Sequence, residues 1–277
     1  MTLSNPPAGP LTVLITGASA GIGRIACQHL ARRKHKFVLA ARSADKLTQL
    51  ETELRSEGVD CISVPTDVAD PTALEKLVKA AVDRFGRIDV LVNNAGVECF
   101  ASFDELPVDQ ILQTIETNLT GAILLTRLVV PFMRKQSYGR IINISSIAGK
   151  HGPAYGAVYG ATKAGLIAFT QSLRGELIPA GISSTVICPG FATHGGIYDE
   201  MVKATGKKAP LLLGGTTAEA VARAIEKAIS TSPPEMMLNF PAMRPVFLFR
   251  DFFPRLGEKL ILATTLKFLR RAATHGK

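Results

Sequence analysis

Residues 11–33 read "LTVLITGASAGIGRIACQHLARR". The apolar run 11–17 has the character of a strand, and the segment after residue 21 has the length and pattern of a helix. Between them stand Gly17, Gly21 and Gly23. Glycine permits a sharp turn and lets backbone amides approach an anion, which then rests at the positive end of the helix. The spacing is G-x-x-x-G-x-G, distinct from the G-x-G-x-x-G dinucleotide fingerprint. Its place between a first strand and a helix still points to a pyrophosphate-bearing cofactor. Gly17, Ser19, Gly21, Ile22 and Gly23 are the candidate contacts.

"FVLAA" (37–41), "CISVPT" (61–66), "IDVLVNN" (88–94), "GRIINIS" (139–145) and "ISSTVICPG" (182–190) are further candidate strands. Their near-continuous Val, Ile and Leu content fits strands buried on both faces, the habit of a parallel sheet covered by helices. Helical segments lie between them. One starts at "DPTALEKL", with Asp70 as N-cap and Pro71 at the first helical position, where its missing N–H costs nothing. Another runs from about Val108 to Lys135. Regular β-α alternation predicts an α/β fold, a doubly wound parallel sheet with right-handed crossovers. The expected organisation is a flexible lead-in at 1–10, a catalytic domain at 11–239 and an extension at 240–277. Within the domain, 191–215 should form an irregular substrate loop ahead of a helix starting near Thr217.

Composition narrows the function classes. Of 277 residues, 47% are hydrophobic and 20% charged, an ordinary globular balance. No apolar run reaches the length of a membrane span, and the N-terminal sequence lacks the pattern of a secretory signal, so a cytoplasmic protein is expected. Cys27, Cys61, Cys99 and Cys188 are scattered and read as reduced thiols; the five histidines form no HExxH, and no metal is expected. The net charge of +9 admits a nucleic acid, an anionic membrane or a polyanionic small molecule as partner. With 6% aromatics and no nucleic-acid motif, nucleic acid ranks last.

The end of the second strand bears on the cofactor. An acid there would bind the ribose hydroxyls of NAD. This chain reads "VLAARSADK" (38–46), with Ala41 at the expected acid position and Arg42 after it. A guanidinium pairs bidentately with a 2′-phosphate. The reading is NADP(H).

Taken in order, "TGASAGIG" (16–23), "NNAG" (93–96), Asn118 in "ETNLTGA", "NISS" (143–146), "YGATK" (159–163) and "PG" (189–190) resemble the motifs of the short-chain dehydrogenase/reductase family. The resemblance implies a Rossmann-type sheet of about seven strands, a nicotinamide cofactor and a Ser-Tyr-Lys-Asn set. Tyr155, Tyr159 and Lys163 are spaced four apart on one helix face. Lys163 lies one turn beyond Tyr159, so Tyr159 is the acid/base and Tyr155 pocket wall. Lys163, with the positive nicotinamide of the oxidised cofactor, favours the phenolate; at about 4 Å and an effective dielectric of about 20, one such charge is worth roughly 4 kcal/mol, enough to bring the phenol near neutrality. The family's catalytic serine lies thirteen residues before the tyrosine, which points to Ser146; Ser145 faces the other side of its strand. By the same resemblance Asn118 helps hold a water linking Lys163 to solvent.

Cofactor contacts implied by the resemblance are Asp67 and Val68 at the adenine, and Asn93, Ala95 and Gly96, which flank the adenine ribose and brace the central sheet, with Asn94 beside them. Tyr159, Lys163, Pro189 and Gly190 stand at the nicotinamide end. The family's carboxamide-binding threonine falls on His194 here, with Thr193 one position earlier; whether Thr193 takes over through a loop shift is open, and His194 reads as an incidental loop residue ahead of an extra acid/base.

The rim candidates Val97, Phe100, His151, Tyr155, Phe191, Ile197 and Tyr198 suit a lipophilic carbonyl compound. The function expected is hydride transfer between NADP(H) and such a carbonyl or secondary alcohol. The alternatives are a 3-oxoacyl-thioester reductase and a non-catalytic NADP(H) sensor. A homodimer or homotetramer is expected. The tail contains "FLFRDFF" and the basic amphipathic "KLILATTLKFLRRAA". It closes the pocket, covers a subunit interface, or lies on an anionic membrane.

Overall fold

The structure is a computed structural model describing residues 4, 6–193, 198, 199, 202, 203, 206, 209 and 214–275. Its first six strands fall where the apolar runs place them: β1 Thr12–Thr16, β2 Lys36–Ala41, β3 Cys61–Pro65, β4 Val90–Asn93, β5 Gly139–Ile144 and β6 Ile182–Pro189. Two short strands, β7 Ala192–Thr193 and β8 Thr216–Thr217, pair with each other. The last strand, β9 Glu235–Leu238, joins the edge of the main sheet. The main sheet runs β3-β2-β1-β4-β5-β6-β9 and every pairing is parallel.

Side-chain alternation sends Val13 and Ile15 to one face and Leu14 to the other. On the first face they meet α1 (Gly21–Ala31), α2 (Ala44–Ser56) and α7 (Ala218–Thr231) through Leu30, Leu50, Leu54 and Ile225. On the second they meet α3 (Pro71–Phe85) and α5 (Gly121–Gln136) through Leu74, Leu77, Leu125 and Val129. α4 (Val108–Ile115) runs into α5 through a π-helical turn at Glu116–Thr120, and α6 (Ala157–Leu177) precedes β6. The doubly wound architecture is therefore as expected. β9 has no sequence signal; "EMML" has neither β-branched residues nor alternation.

Local signals behave as the chemistry predicts. The Asp70 carboxylate accepts from the Thr72 amide at 2.8 Å and caps α3, with Pro71 at its start. Thr217 caps α7 by accepting from the Ala220 amide at 3.1 Å. Inside the expected lead-in, the Ser4 carbonyl accepts from Arg140 at 2.5 Å, which ties that residue to the sheet. The continuous helical stretch Val108–Gln136 is long and apolar enough by composition to cross a membrane. Here Leu125, Val129 and Met133 pack into the core instead.

The extension forms two helices, α8 (Arg244–Phe252) and α9 (Pro254–His275), which pack on each other. Most of 191–215, including His194 and Ile197, lies outside the described residues.

Candidate active site

The order of strands reverses at β1 and β4, and a crevice opens beyond their carboxyl ends, where doubly wound sheets hold ligands. Thr16 organises that point. Its hydroxyl accepts from the Asn94 and Ala95 amides, each at 3.0 Å, and the Asn94 side chain donates to the Thr16 carbonyl at 2.9 Å. The glycine loop follows directly. Gly17 sits at φ 67°, and a Cβ on Gly23 would lie 2.1 Å from the Gly17 carbonyl oxygen. Only glycine lets loop and helix approach so closely. Ala20 caps α1 with no side-chain hydrogen bond and no acid stands in the first turn, which leaves the positive helix end to the cavity.

The cavity measures about 850 Å³. At one end its wall is Gly17, Ser19, Gly21 and Ile22, then Arg42, Ser43, Lys46, Asp67 and Val68. Asn94, Ala95 and Gly96 form the middle, and Ser146, Tyr159, Lys163, Pro189 and Gly190 the other end. Arg42 and Lys46 are both exposed on this wall. Lys46 is a cavity residue that the motifs do not single out; its sequence signal is its place on the first turn of α2, four residues after Arg42.

Two expected contacts sit elsewhere. Asn93 is buried in the sheet and donates to Asn143 at 2.8 Å and Thr126 at 3.0 Å, so it braces strands while its neighbour Asn94 meets the cavity. Thr193 pairs with Thr217 across β7–β8, and its hydroxyl donates to the Thr216 carbonyl at 3.3 Å. It does not border the cavity among the described residues.

At the chemical end, β5 delivers Ser145 and Ser146 to opposite sides. Ser145 Oγ donates to the Lys163 carbonyl at 2.8 Å. Ser146 Oγ accepts from the Ala148 amide at 3.1 Å and faces the Tyr159 phenol. α6 carries Tyr159 and Lys163 one turn apart. Lys163 Nζ lies 5.7 Å from the Tyr159 ring centre and donates to the Ile144 carbonyl at 3.1 Å. Asn118, in the π turn, grips Val97 with both ends of its amide. Its Oδ1 accepts from the Val97 amide and its Nδ2 donates to the Val97 carbonyl, each at 2.8 Å. That makes Asn118 a positioning residue for the loop after β4.

Burial shifts both titratable groups away from their charged forms. The Tyr159 phenol is pushed up by burial and by the nearby Glu98 charge, with the Ser146 hydrogen bond lowering it only in part. Burial brings Lys163 down to about 8, against weaker raising effects of Cys188 and Glu98. Desolvation dominates at the phenol in the protein by itself, whereas the expectation of a phenol near neutrality counts the positive nicotinamide of an oxidised cofactor together with Lys163. Glu98, a cavity-lining acid in "GVECF", carries no motif signal because the motif ends at Gly96.

The pocket walls are largely apolar. Val97, Phe100, His151, Phe191 and Tyr198 border it as expected, but Tyr155 turns away to a smaller groove along α9. The tail supplies the remainder: Met243, Phe247, Ile261, Leu262, Thr265 and Leu269. Of the readings of the tail, pocket closure is what the structure displays. Arg250 fastens it, donating to the Lys150 carbonyl at 3.0 Å and lying 3.0 Å from His151 Nδ1.

The family model for short chain dehydrogenases matches residues 11–203. The chain belongs to the short-chain dehydrogenase/reductase family. It is 40% identical over 228 residues to the ketoacyl reductase HetN of Nostoc sp., covering 82% of this chain and 78% of that protein. Among solved structures it resembles an NAD+-bound xylitol dehydrogenase, with TM-score 0.77, 26% identity, and 84% and 99% of the two chains covered. It equally resembles a variant of actinorhodin polyketide ketoreductase with NADPH, with TM-score 0.77, 29% identity, and 83% and 95% covered. As a member of this family the protein is an oxidoreductase, and its uncapped helix end and glycine cradle fit the pyrophosphate of a nicotinamide dinucleotide.

Proposed function

We propose that the protein reduces a lipophilic carbonyl compound at the expense of NADPH. The observation that carries the cofactor choice is the pair Arg42 and Lys46 on the cavity wall, with Ala41 where an acid would select NAD. When bound, the dihydronicotinamide supplies the hydride. Ser146 holds the carbonyl oxygen by a hydrogen bond that strengthens as charge develops there. Tyr159 donates its proton to that oxygen. A buried phenol with a raised pKa keeps its proton until the oxygen has become strongly basic, which suits reduction. Lys163, protonated at neutral pH, then faces the new phenolate. Asn118 keeps Gly96 and Val97 in place beside Lys163, where by family resemblance it would help to hold a water that relays protons to that amine.

Similarity to ketoacyl reductases favours a second form of the substrate, a 3-oxoacyl thioester, whose chain would lie along Phe100, Phe191, Phe247 and Leu269. Two copies would associate through the face of α4 that leaves Val108, Leu112 and Ile115 exposed. The test of the cofactor reading compares kcat/KM for NADPH and NADH in wild type and Arg42→Asp. Loss of a charge-assisted contact should cut the preference for NADPH by about ten- to hundredfold. An unchanged ratio, or a wild type that prefers NADH, contradicts it.

A further inference from the structure

The tail has two faces, and only one is used by the pocket. On α9, Ile261, Leu262, Thr265, Phe268, Leu269 and Ala272 recur at helical spacing and point inward; Ile261, Phe268, Leu269 and Ala272 are buried. The opposite face begins with Leu256 and Leu260, 58% and 49% exposed. At the turn from α8 into α9, Phe252 is 79% and Phe253 57% exposed, and Phe253 packs on Phe249 with ring centres 5.3 Å apart. Leu248, 55% exposed, extends the patch. Two adjacent phenylalanines at the apex of a helical hairpin are costly to leave in water.

Farther along the same stripe as Leu256 and Leu260 the chemistry changes to Lys267 and Arg270, both exposed at the edge of the smaller groove that Tyr155 lines. They lie two to three turns from Leu260, about 10–15 Å along the axis at 1.5 Å per residue. Arg255 and Lys259 flank the apolar stretch, while Asp251 and Glu258 are the acids nearby. Residues after Thr231 carry eight basic side chains against three acidic ones. Aromatic side chains at an apex with lysines and arginines behind them match an anionic bilayer: rings in the acyl boundary, cations at the phosphates.

We infer that the outer face of the α8–α9 hairpin docks on an anionic phospholipid surface, while its inner face roofs the pocket. The occupant is the bilayer and not a protein, because charge and apolar exposure are separated along one helix in the order a membrane interface presents them. This extends the lipophilic-carbonyl reading, since the same hairpin would sit between the lipid phase and the pocket, yet it is tested separately, because flotation reads docking without turnover.

The experiment is flotation of the full chain with vesicles of phosphatidylcholine alone or mixed with phosphatidylglycerol. Wild type should float with the mixed vesicles, weakly with neutral ones, and less as salt rises. Phe252→Ser with Phe253→Ser should lower binding by about tenfold or more. Lys267→Glu with Arg270→Glu should remove the preference for anionic lipid. Both variants should reduce a short water-soluble carbonyl like wild type, which shows that they fold. Wild type that stays unbound, an apex variant that floats as wild type does, or a charge variant that keeps the anionic preference overturns the inference. So does an apex variant that changes only the oligomeric state in sedimentation, which would make the patch a contact between copies.

Discussion

Burial acts on Tyr159 and Lys163 in opposite senses, and both shifts are measurable. Folded Lys163 titrates near 8 against an ordinary 10.5, so the unfolded chain holds that proton more tightly. Burying the ammonium therefore costs stability below about pH 8, and the cost fades as pH climbs from 8 to 10.5. Wild type should gain on Lys163→Met across that window, by up to about 3 kcal/mol in urea unfolding; a constant difference contradicts the burial account. The reduction rate should fall as pH passes about 8 and the amine loses its charge, and a flat profile to pH 10 would deny Lys163 a charged role. The Tyr-Lys pairing was legible in the sequence from one helical turn of spacing, and Ser146 from the family resemblance of the motifs around it. The proton affinities were not, since they depend on desolvation by residues far apart in the chain. The same holds for Asn93 and Asn94: adjacent asparagines point to opposite sides of β4, and only the neighbouring Thr126 and Asn143 decide which one braces the sheet.

Among the elements, the β1–α1 turn carries the tightest steric requirement. Gly23→Ala places a methyl 2.1 Å from the Gly17 carbonyl, so the loop must open. The expected result is a loss of about 1–3 kcal/mol in stability, together with weaker dinucleotide binding. Unchanged melting and binding would show the cradle to be slack. The tail lining predicts a second outcome. Leu262→Trp should fill the pocket beneath α9, raising KM for long-chain carbonyls while leaving short ones nearly unaffected, and equal effects on both would remove α9 from the substrate site. Apolar runs announced the six principal strands; β9 escaped because its place is set by the β6 edge it joins, not by its own four residues. The pocket role of α9 was left open for a similar reason. An amphipathic helix announces that one face is covered, never by what.

For the whole molecule, the parallel sheet and its reversal at β1 and β4 bring the loop near residue 20, the serines at 145–146 and the tyrosine at 159 into one crevice. Topology made that convergence readable once β-α alternation was recognised. Leu112→Asp, on the exposed face of α4, should shift the protein to monomers in sedimentation without changing its fold. A variant that sediments as wild type does, or a wild type that is itself monomeric, would remove the proposed α4 contact.

The proposed chemistry rests on Tyr159 as the proton donor and on NADPH as the nucleotide taken up beside it. The most direct measurement pairs NADPH binding, followed by nucleotide fluorescence, with NADPH consumption against a panel of ketones and 3-oxoacyl thioesters, for wild type and Tyr159→Phe. The prediction is similar binding in both and turnover in wild type only, with a loss of about a thousandfold or more in the variant. Turnover that survives in Tyr159→Phe with NADPH still bound would contradict the assignment.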